Sequence, residues 1–276
     1  MLFAVDARNR SISLGFHEGS DWLIRRELGA MADRSADEYA WFFDRAFQET
    51  RERAVGRVDR AIVSSVAPGL TPRLLAAIKR AFGVEALLVG PGTRTGVRIR
   101  SDLPQEVGSD LVCAAAAARR LVEGPCVIVD FGDTLVFSAL GPEGDFLGAA
   151  IAPGIEAAAL SLHAGAALLP EVLVERPARA IGRTTQASIQ SGLFHGYGGL
   201  VDRLAGLFRA ELAGPERAAA SIEIVATGNP AGRELLGGLE PYRFVESLAL
   251  DGLVLIAALA EESGGGRQRQ KGARAP

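Results

Sequence analysis

The sequence predicts an α/β protein built from two tandem halves of similar construction. Three observations carry that reading. A short apolar run ending in aspartate occurs twice, Leu-Phe-Ala-Val-Asp at 2–6 and Val-Ile-Val-Asp at 127–130, with Asp6 and Asp130 124 residues apart. Each run leads into alternating segments divided by Gly-containing turns, the period-two signature of a β-meander. Each meander is then followed by helix and strand signals in one order, β-β-β-α-β-α-β, which puts a sheet under helical cover.

The elements follow in turn. In the first half, strands are expected at 2–6, 11–16 and 22–24, with a turn at 17–20. An amphipathic helix at 36–55, a strand at 61–66, a helix at 72–82 and a strand at 86–89 complete it. In the second half the strands fall at 127–130, 134–138 and 146–148, then at 222–228 and 244–245, with a helix at 231–239. An alanine-rich helix at 107–121 should pack closely. The longest helical region, 185–212, contains Gly192, Gly196, Gly198 and Gly199. Glycine is costly inside a helix, so these positions imply close helix packing or a break. The division expected is 1–105 for the first half and 106–262 for the second. Residues 263–276 lack apolar anchors and read as an unstructured basic tail.

Composition excludes several classes. The chain has 276 residues, 48% hydrophobic and 23% charged, enough apolar matter for ordinary cores. A net charge of −3 gives no reason to expect nucleic acid or an anionic membrane as partner. The apolar stretch 248–259 is interrupted by Asp251 and is too short for a bilayer. The N-terminus shows no basic region or cleavage site. A cytoplasmic protein is therefore expected. Cys113 and Cys126 have no metal-ligand spacing and read as buried free thiols. His17, His163 and His195 share no spacing and read as structural or surface residues.

Two strand-end carboxylates at matched positions, Asp6 and Asp130, would face one cleft suited to a nucleotide. Each could instead accept turn amides, but the matched pair favours a site. Asp110 follows Gly108-Ser109 at a helix start, where Asp110 or Ser109 could serve as N-cap. A carboxylate there could equally orient a substrate hydroxyl and accept its proton. Neither GxxxxGK[ST] nor GxGxxG is present, so nucleotide binding would need another scheme.

The segments Ser64-Ser65-Val66-Ala67-Pro68, Gly90-Pro91-Gly92-Thr93-Arg94-Thr95-Gly96, Val129-Asp130-Phe131-Gly132 and Ile181-Gly182-Arg183-Thr184-Thr185 occur in this order. With Gly148 to Ile155, Gln190-Ser191-Gly192, Gly196-Tyr197 and Thr227-Gly228, they resemble the type III pantothenate kinase family, also called the Bvg accessory factor family. That family belongs to the acetate kinase, sugar kinase and actin superfamily. The resemblance implies duplicated ribonuclease H-like (actin-like ATPase) domains, a homodimer, and ATP-dependent phosphorylation of pantothenate or a related small molecule, the first step towards coenzyme A. It implies ATP with Mg²⁺, and K⁺ or ammonium as a monovalent cation. Asp110 matches the catalytic base and Asp130 the monovalent-cation ligand. Asp6 and Asn9 match the phosphate and Mg²⁺ motif, and Thr227 and Gly228 a nucleotide motif. Gly108, Ser109, Leu111, Ser101 and Thr185 fall on the pantothenate side.

This chain departs from the pattern in places. Arg8 and Arg10 stand where Asp-x-Gly-Asn-Thr has glycine and threonine. Asp133 replaces a threonine beside the polyphosphate, Leu111 an arginine, Ser101 a tyrosine and Asn229 a glycine. Arg8 and Arg10 could grip phosphate themselves, with Asp133 paired to one of them. The alternative expectation is a catalytically degenerate homologue that binds or regulates.

Overall fold

The protein is described by a computed structural model covering residues 1–31, 33–50, 56–214, 218–237 and 239–272, with side chains through Glu262. It divides into two compact units. The first comprises Met1–Arg98, Asp102–Ala117 and the chain from Ser247; the second comprises Ile99–Ser101 and Ala118–Glu246.

In the first unit, β1 (Leu2–Ala7), β2 (Ser11–Glu18) and β3 (Asp21–Gly29) form the meander, followed by α1 (Ala36–Gln48), β4 (Arg60–Ser65), α2 (Thr71–Phe82) and β5 (Ala86–Leu88). The sheet order is β3-β2-β1-β4-β5. β1 is central and buried along its whole length, which explains its unbroken apolar run. Phe3 stacks on Phe16 at 4.6 Å and meets Phe43 edge-on at 5.1 Å, forming the core under α1 and α2. α1 starts on a capping box: Glu38 N–H donates to Ser35 Oγ at 3.2 Å, and Ser35 N–H to Glu38 Oε2 at 2.7 Å. It ends at Gln48, and 51–55 of the longer expected helix lie outside the described residues.

This unit also takes α3 (Ser109–Leu121) as far as Ala117, and α6 (Leu248–Gly272). Both fall in the expected second half. The reason is packing: Leu250, Leu253 and Ile256 of α6 and Cys113 of α3 share one buried cluster with Leu2, Ala4 and Ile62. Gly252 is the point of closest approach, since a Cβ there would run into the Cys113 carbonyl. Helix α6 continues past 263, where the tail was expected to begin, and 273–276 lie outside the described residues.

The second unit repeats the plan with β6 (Cys126–Phe131), β7 (Thr134–Leu140), β8 (Phe146–Pro153), β9 (Glu223–Gly228) and β10 (Tyr242–Val245). Its order, β10-β9-β6-β7-β8, is the first sheet's order with each strand replaced by its counterpart. The helix expected at 231–239 is a 3₁₀ turn over Pro230–Leu236. Helix α4 (Ile155–Gly165) was not foreseen, because its start was read only as the turn Ala152-Pro153-Gly154.

Helix α5 (Thr185–Ala213) is unbroken. Added Cβ atoms at Gly192, Gly196, Gly198 and Gly199 would meet nothing within 4 Å. The expected break or close packing is therefore corrected: within this chain those glycines lie on an open face. Arg209 of α5 is buried and donates to the carbonyls of Ile222 (2.8 Å), Leu239 (2.8 Å) and Pro241 (2.9 Å). Arg209→Ala removes all three bonds, leaving Pro241 only the Ile224 N–H at 3.1 Å, and is expected to cost about 3 kcal/mol in urea unfolding. Arg209→Lys should recover only part, lacking the planar fork.

Both cysteines are free and buried. Burial, with a smaller contribution from Glu223, pushes the Cys126 thiol from 9.0 up to about 12. Between those values the native state keeps a proton that the unfolded chain has lost. Stability should therefore fall as pH rises from about 9 towards 12. Urea midpoints measured across that range should fall less steeply for Cys126→Ala.

Candidate active site

The first unit gathers one set of groups. Asp6 is the fifth residue of β1 and only 2% exposed. It pairs in parallel register with Ser64 of β4 and antiparallel with Ser13 of β2. Its Oδ2 accepts from Arg8 Nε at 3.1 Å, while its buried Oδ1 has no hydrogen-bond partner. The turn that carries Arg8, Asn9 and Arg10 closes on Arg8 N–H to the Ser11 carbonyl at 2.8 Å. Asn9 and Arg10 are exposed at its tip.

Helix α3 begins at Ser109, so Ser109 and Asp110 both lie in its first turn rather than before it. The Ser109 hydroxyl turns to β4, 3.0 Å from Ser64 Oγ, and accepts the Ser65 N–H at 3.1 Å. That corrects the expectation of Ser109 as a cap. Asp110 Oδ1 lies directly over the Cα of Gly108, in the space a side chain there would fill. Asp6 and Asp110 both act electrostatically on the Cys113 thiol of α3. Burial first, then these two carboxylates, push the Cys113 thiol well above its ordinary value, and a hydrogen bond with Ser64 opposes them. From the sequence, Ser64 was named only within the Ser64-Ser65-Val66-Ala67-Pro68 motif and Cys113 only as a buried thiol; neither was placed at the site.

In the second unit, Asp130 occupies the position equivalent to Asp6, 3% exposed, and pairs in parallel with Thr227 as Asp6 does with Ser64. Gly228 has φ +90°, a conformation that favours glycine. A side chain there would meet Asp130 Oδ1 at 2.9 Å and collide with the Phe131 carbonyl. Two oxygens thus converge at one glycine. Asp133 sits in the β6–β7 turn and accepts the Gly154 N–H at its carbonyl, 3.1 Å away. Thr185 opens α5 behind Thr184, whose hydroxyl accepts the Ala187 N–H at 3.1 Å. Ser101 Oγ is buried without a hydrogen-bond partner. Leu111 is half-buried on α3 of the first unit.

Beside the Asp130 strand end lies a cavity of about 180 Å³ lined by Phe131, Gly132, Gly154, Phe194, Tyr197 and Asn229, among others. Tyr197 OH donates to the Pro153 carbonyl at 2.9 Å. Asn229 Nδ2 donates to Glu156 Oε1 at 2.9 Å across the rim. Arg176 reaches Glu234 at 3.3 Å, with its guanidinium 5.2 Å from the Phe194 ring centre. Of these, sequence reading had the Gly196-Tyr197, Asp130-Phe131-Gly132 and Gly148 to Ile155 motifs, and Asn229 as a departure from the family pattern. Arg176 carried no signal.

The donor sets differ in what they can hold. Asp130 and the Phe131 carbonyl, which also accepts the Asn229 N–H at 2.7 Å, bring two oxygens to Gly228, the donor type that suits hard cations. A divalent ion resident on Asp6 fits poorly, since Oδ2 already carries a guanidinium. Among the described residues, no group of three or more His, Cys, Asp or Glu is arranged around a metal. Among them, too, no helix is long and apolar enough to cross a membrane.

Two α/β units sharing one strand order, each with a buried aspartate at the same strand end, define a duplicated ribonuclease H-like fold. A crystal structure from Campylobacter jejuni, described as a Baf family transcriptional activator, shares the fold at TM-score 0.56 and 15% identity, covering 94% of this chain and 99% of that one. The type III pantothenate kinase profile matches residues 2–206. A type III pantothenate kinase of Dehalococcoides mccartyi is 40% identical over 256 residues, 92% of this chain and 94% of that protein. One from Solibacter usitatus is 38% identical, covering 93% and 95%. The chain belongs to the type III pantothenate kinase family.

Proposed function

We propose that the protein transfers the γ-phosphoryl group of ATP to the primary hydroxyl of pantothenate, giving 4′-phosphopantothenate and ADP. The observation that carries this reading is the Asp110 carboxylate lying over Gly108 in the first turn of α3, in a chain of this family. Asp110, fixed over Gly108, orients the hydroxyl and accepts its proton. Ser109 and Leu111, which flank Asp110 on α3, are assigned to the pantothenate side. The cavity beside Asp130 suits the nucleoside, its aromatic walls facing the base and Thr227 and Gly228 following the phosphates.

A K⁺ or ammonium ion held by Asp130 and the Phe131 carbonyl would supply positive charge near the transferring phosphoryl group. Mg²⁺ enters as the counter-ion of the ATP substrate. Phosphoryl transfer depends mainly on such positioning and charge placement.

The homodimer belongs to the same proposal. Its support is the open glycine face of α5 together with Ile151, Leu168, Leu173 and Ile181, large apolar residues that are all strongly exposed. A cytoplasmic location follows from the chemistry proposed. No finding favours the degenerate alternative.

The test is ADP release from ATP, Mg²⁺ and K⁺ against a panel of small hydroxylated substrates. Pantothenate should stand out. Equal rates with unrelated alcohols would sink the substrate assignment, and silence across the panel would favour the non-catalytic alternative.

A further inference from the structure

The guanidinium of Arg8 lies on the one carboxylate that ends β1. Arg8 Nε is 3.1 Å from Asp6 Oδ2, with the side chains 18% and 2% exposed. In a pair so poorly solvated, loss of either partner leaves an uncompensated charge, so each charge holds the other in place. With Arg8 in place the carboxylate is already neutralised. The remaining oxygen, Oδ1, is buried and lacks a donor. It requires a hydrogen bond, such as one from a water, and not a second cation. A divalent ion bound directly to Oδ1 would also sit beside the guanidinium and be repelled by it.

Arg8 leaves the strand at the β1–β2 turn, with Arg10 two residues on at the exposed tip. Backbone and charge thus present a basic turn where a glycine would present none. We infer that Arg8 is a resident cation, replacing a divalent ion on Asp6 and binding the ATP phosphates itself. Resting on the kinase reading, this names the triphosphate anchor of that site. Mg²⁺ then stays with the nucleotide and meets Asp6 only through water. Arg8 is a phosphate-binding residue in this account, and Asp6 its positioning partner.

The test uses the full chain and two readouts other than turnover. The first is Mn²⁺ binding without nucleotide, followed by electron paramagnetic resonance. Wild type should show no site at Asp6. Arg8→Gly should gain one, tighter by about tenfold or more, and Arg8→Gly with Asp6→Asn should lose it again. The second is calorimetric ATP binding in EDTA and in Mg²⁺. Wild type should keep binding ATP in EDTA, Arg8→Gly should lose about tenfold or more there, and Arg8→Lys should keep part of the affinity.

Identical Mn²⁺ binding by wild type and Arg8→Gly overturns the inference. So does an equal loss of ATP affinity in EDTA by both proteins; either result leaves the kinase reading standing. Failure of ATP to bind wild type in either buffer overturns both.

Discussion

Asp110→Asn is expected to lower the turnover of ATP and pantothenate by about 10²–10⁴-fold. The substitution keeps the shape of the side chain and removes its basicity. The carboxylate lies over Gly108 in the first turn of α3, and an amide can occupy the same space. Chemical melting should therefore change little, and the KM for ATP should stay close to the wild-type value. A parallel collapse of stability would instead assign Asp110 to the fold. Gly108→Ala offers a second view of the same geometry. Its methyl group would displace the carboxylate, so it should also depress kcat while leaving residue 110 chemically intact.

Gly252→Ala should destabilise the protein even though alanine favours helix. The helical preference is worth about 1 kcal/mol. Against it stands a Cβ placed on the Cys113 carbonyl, with the Cys113 Cα also only 3.0 Å away. Both are backbone atoms, so no side chain can rotate aside; α3 and α6 must separate. Overpacking of this kind costs about 1–3 kcal/mol and sometimes more. The net effect should be a lower urea midpoint for alanine, and a much lower one for Gly252→Val. Cys113 lies in the same contact, on the helix that carries Asp110, so activity should fall as well. A midpoint unchanged or raised by alanine would contradict the α3–α6 contact.

Much of the fold was legible because buried strands and turns leave local patterns. β1 and β6 are central strands, so their apolar runs are continuous, and the repeated aspartate marked the duplication. The sheet orders agree with it, strand for strand. The edge strands β3 and β8 were read too short. Their partly exposed residues, Arg25, Arg26 and Glu27 in β3 among them, blur the pattern that marks a strand. The placement of α6 with the first unit could not be read, since nothing local announces that Gly252 meets Cys113. The α5 glycines misled for a related reason: a helix face open within one chain looks, in sequence, like a packed one.

The site was legible in part. Asp6, Asp110 and Asp130 stood out by position at strand end or helix start. Ser64, named only within a motif, and Cys113, read only as a buried thiol, could not be placed at the site, because an ordinary buried serine and cysteine give the same local signal. The Arg8–Asp6 pair is a short-range contact, yet its burial comes from β4 lying alongside β1, which is a property of the sheet.

The most direct measurement is the identity of the phosphorylated product. Wild-type protein should be incubated with ATP, Mg²⁺, K⁺ and pantothenate, and the mixture analysed by mass spectrometry. The proposed function predicts 4′-phosphopantothenate and ADP in equal amounts, with product formation strongly reduced in Asp110→Asn. ADP without phosphopantothenate, or no nucleotide turnover at all from folded protein, would contradict it.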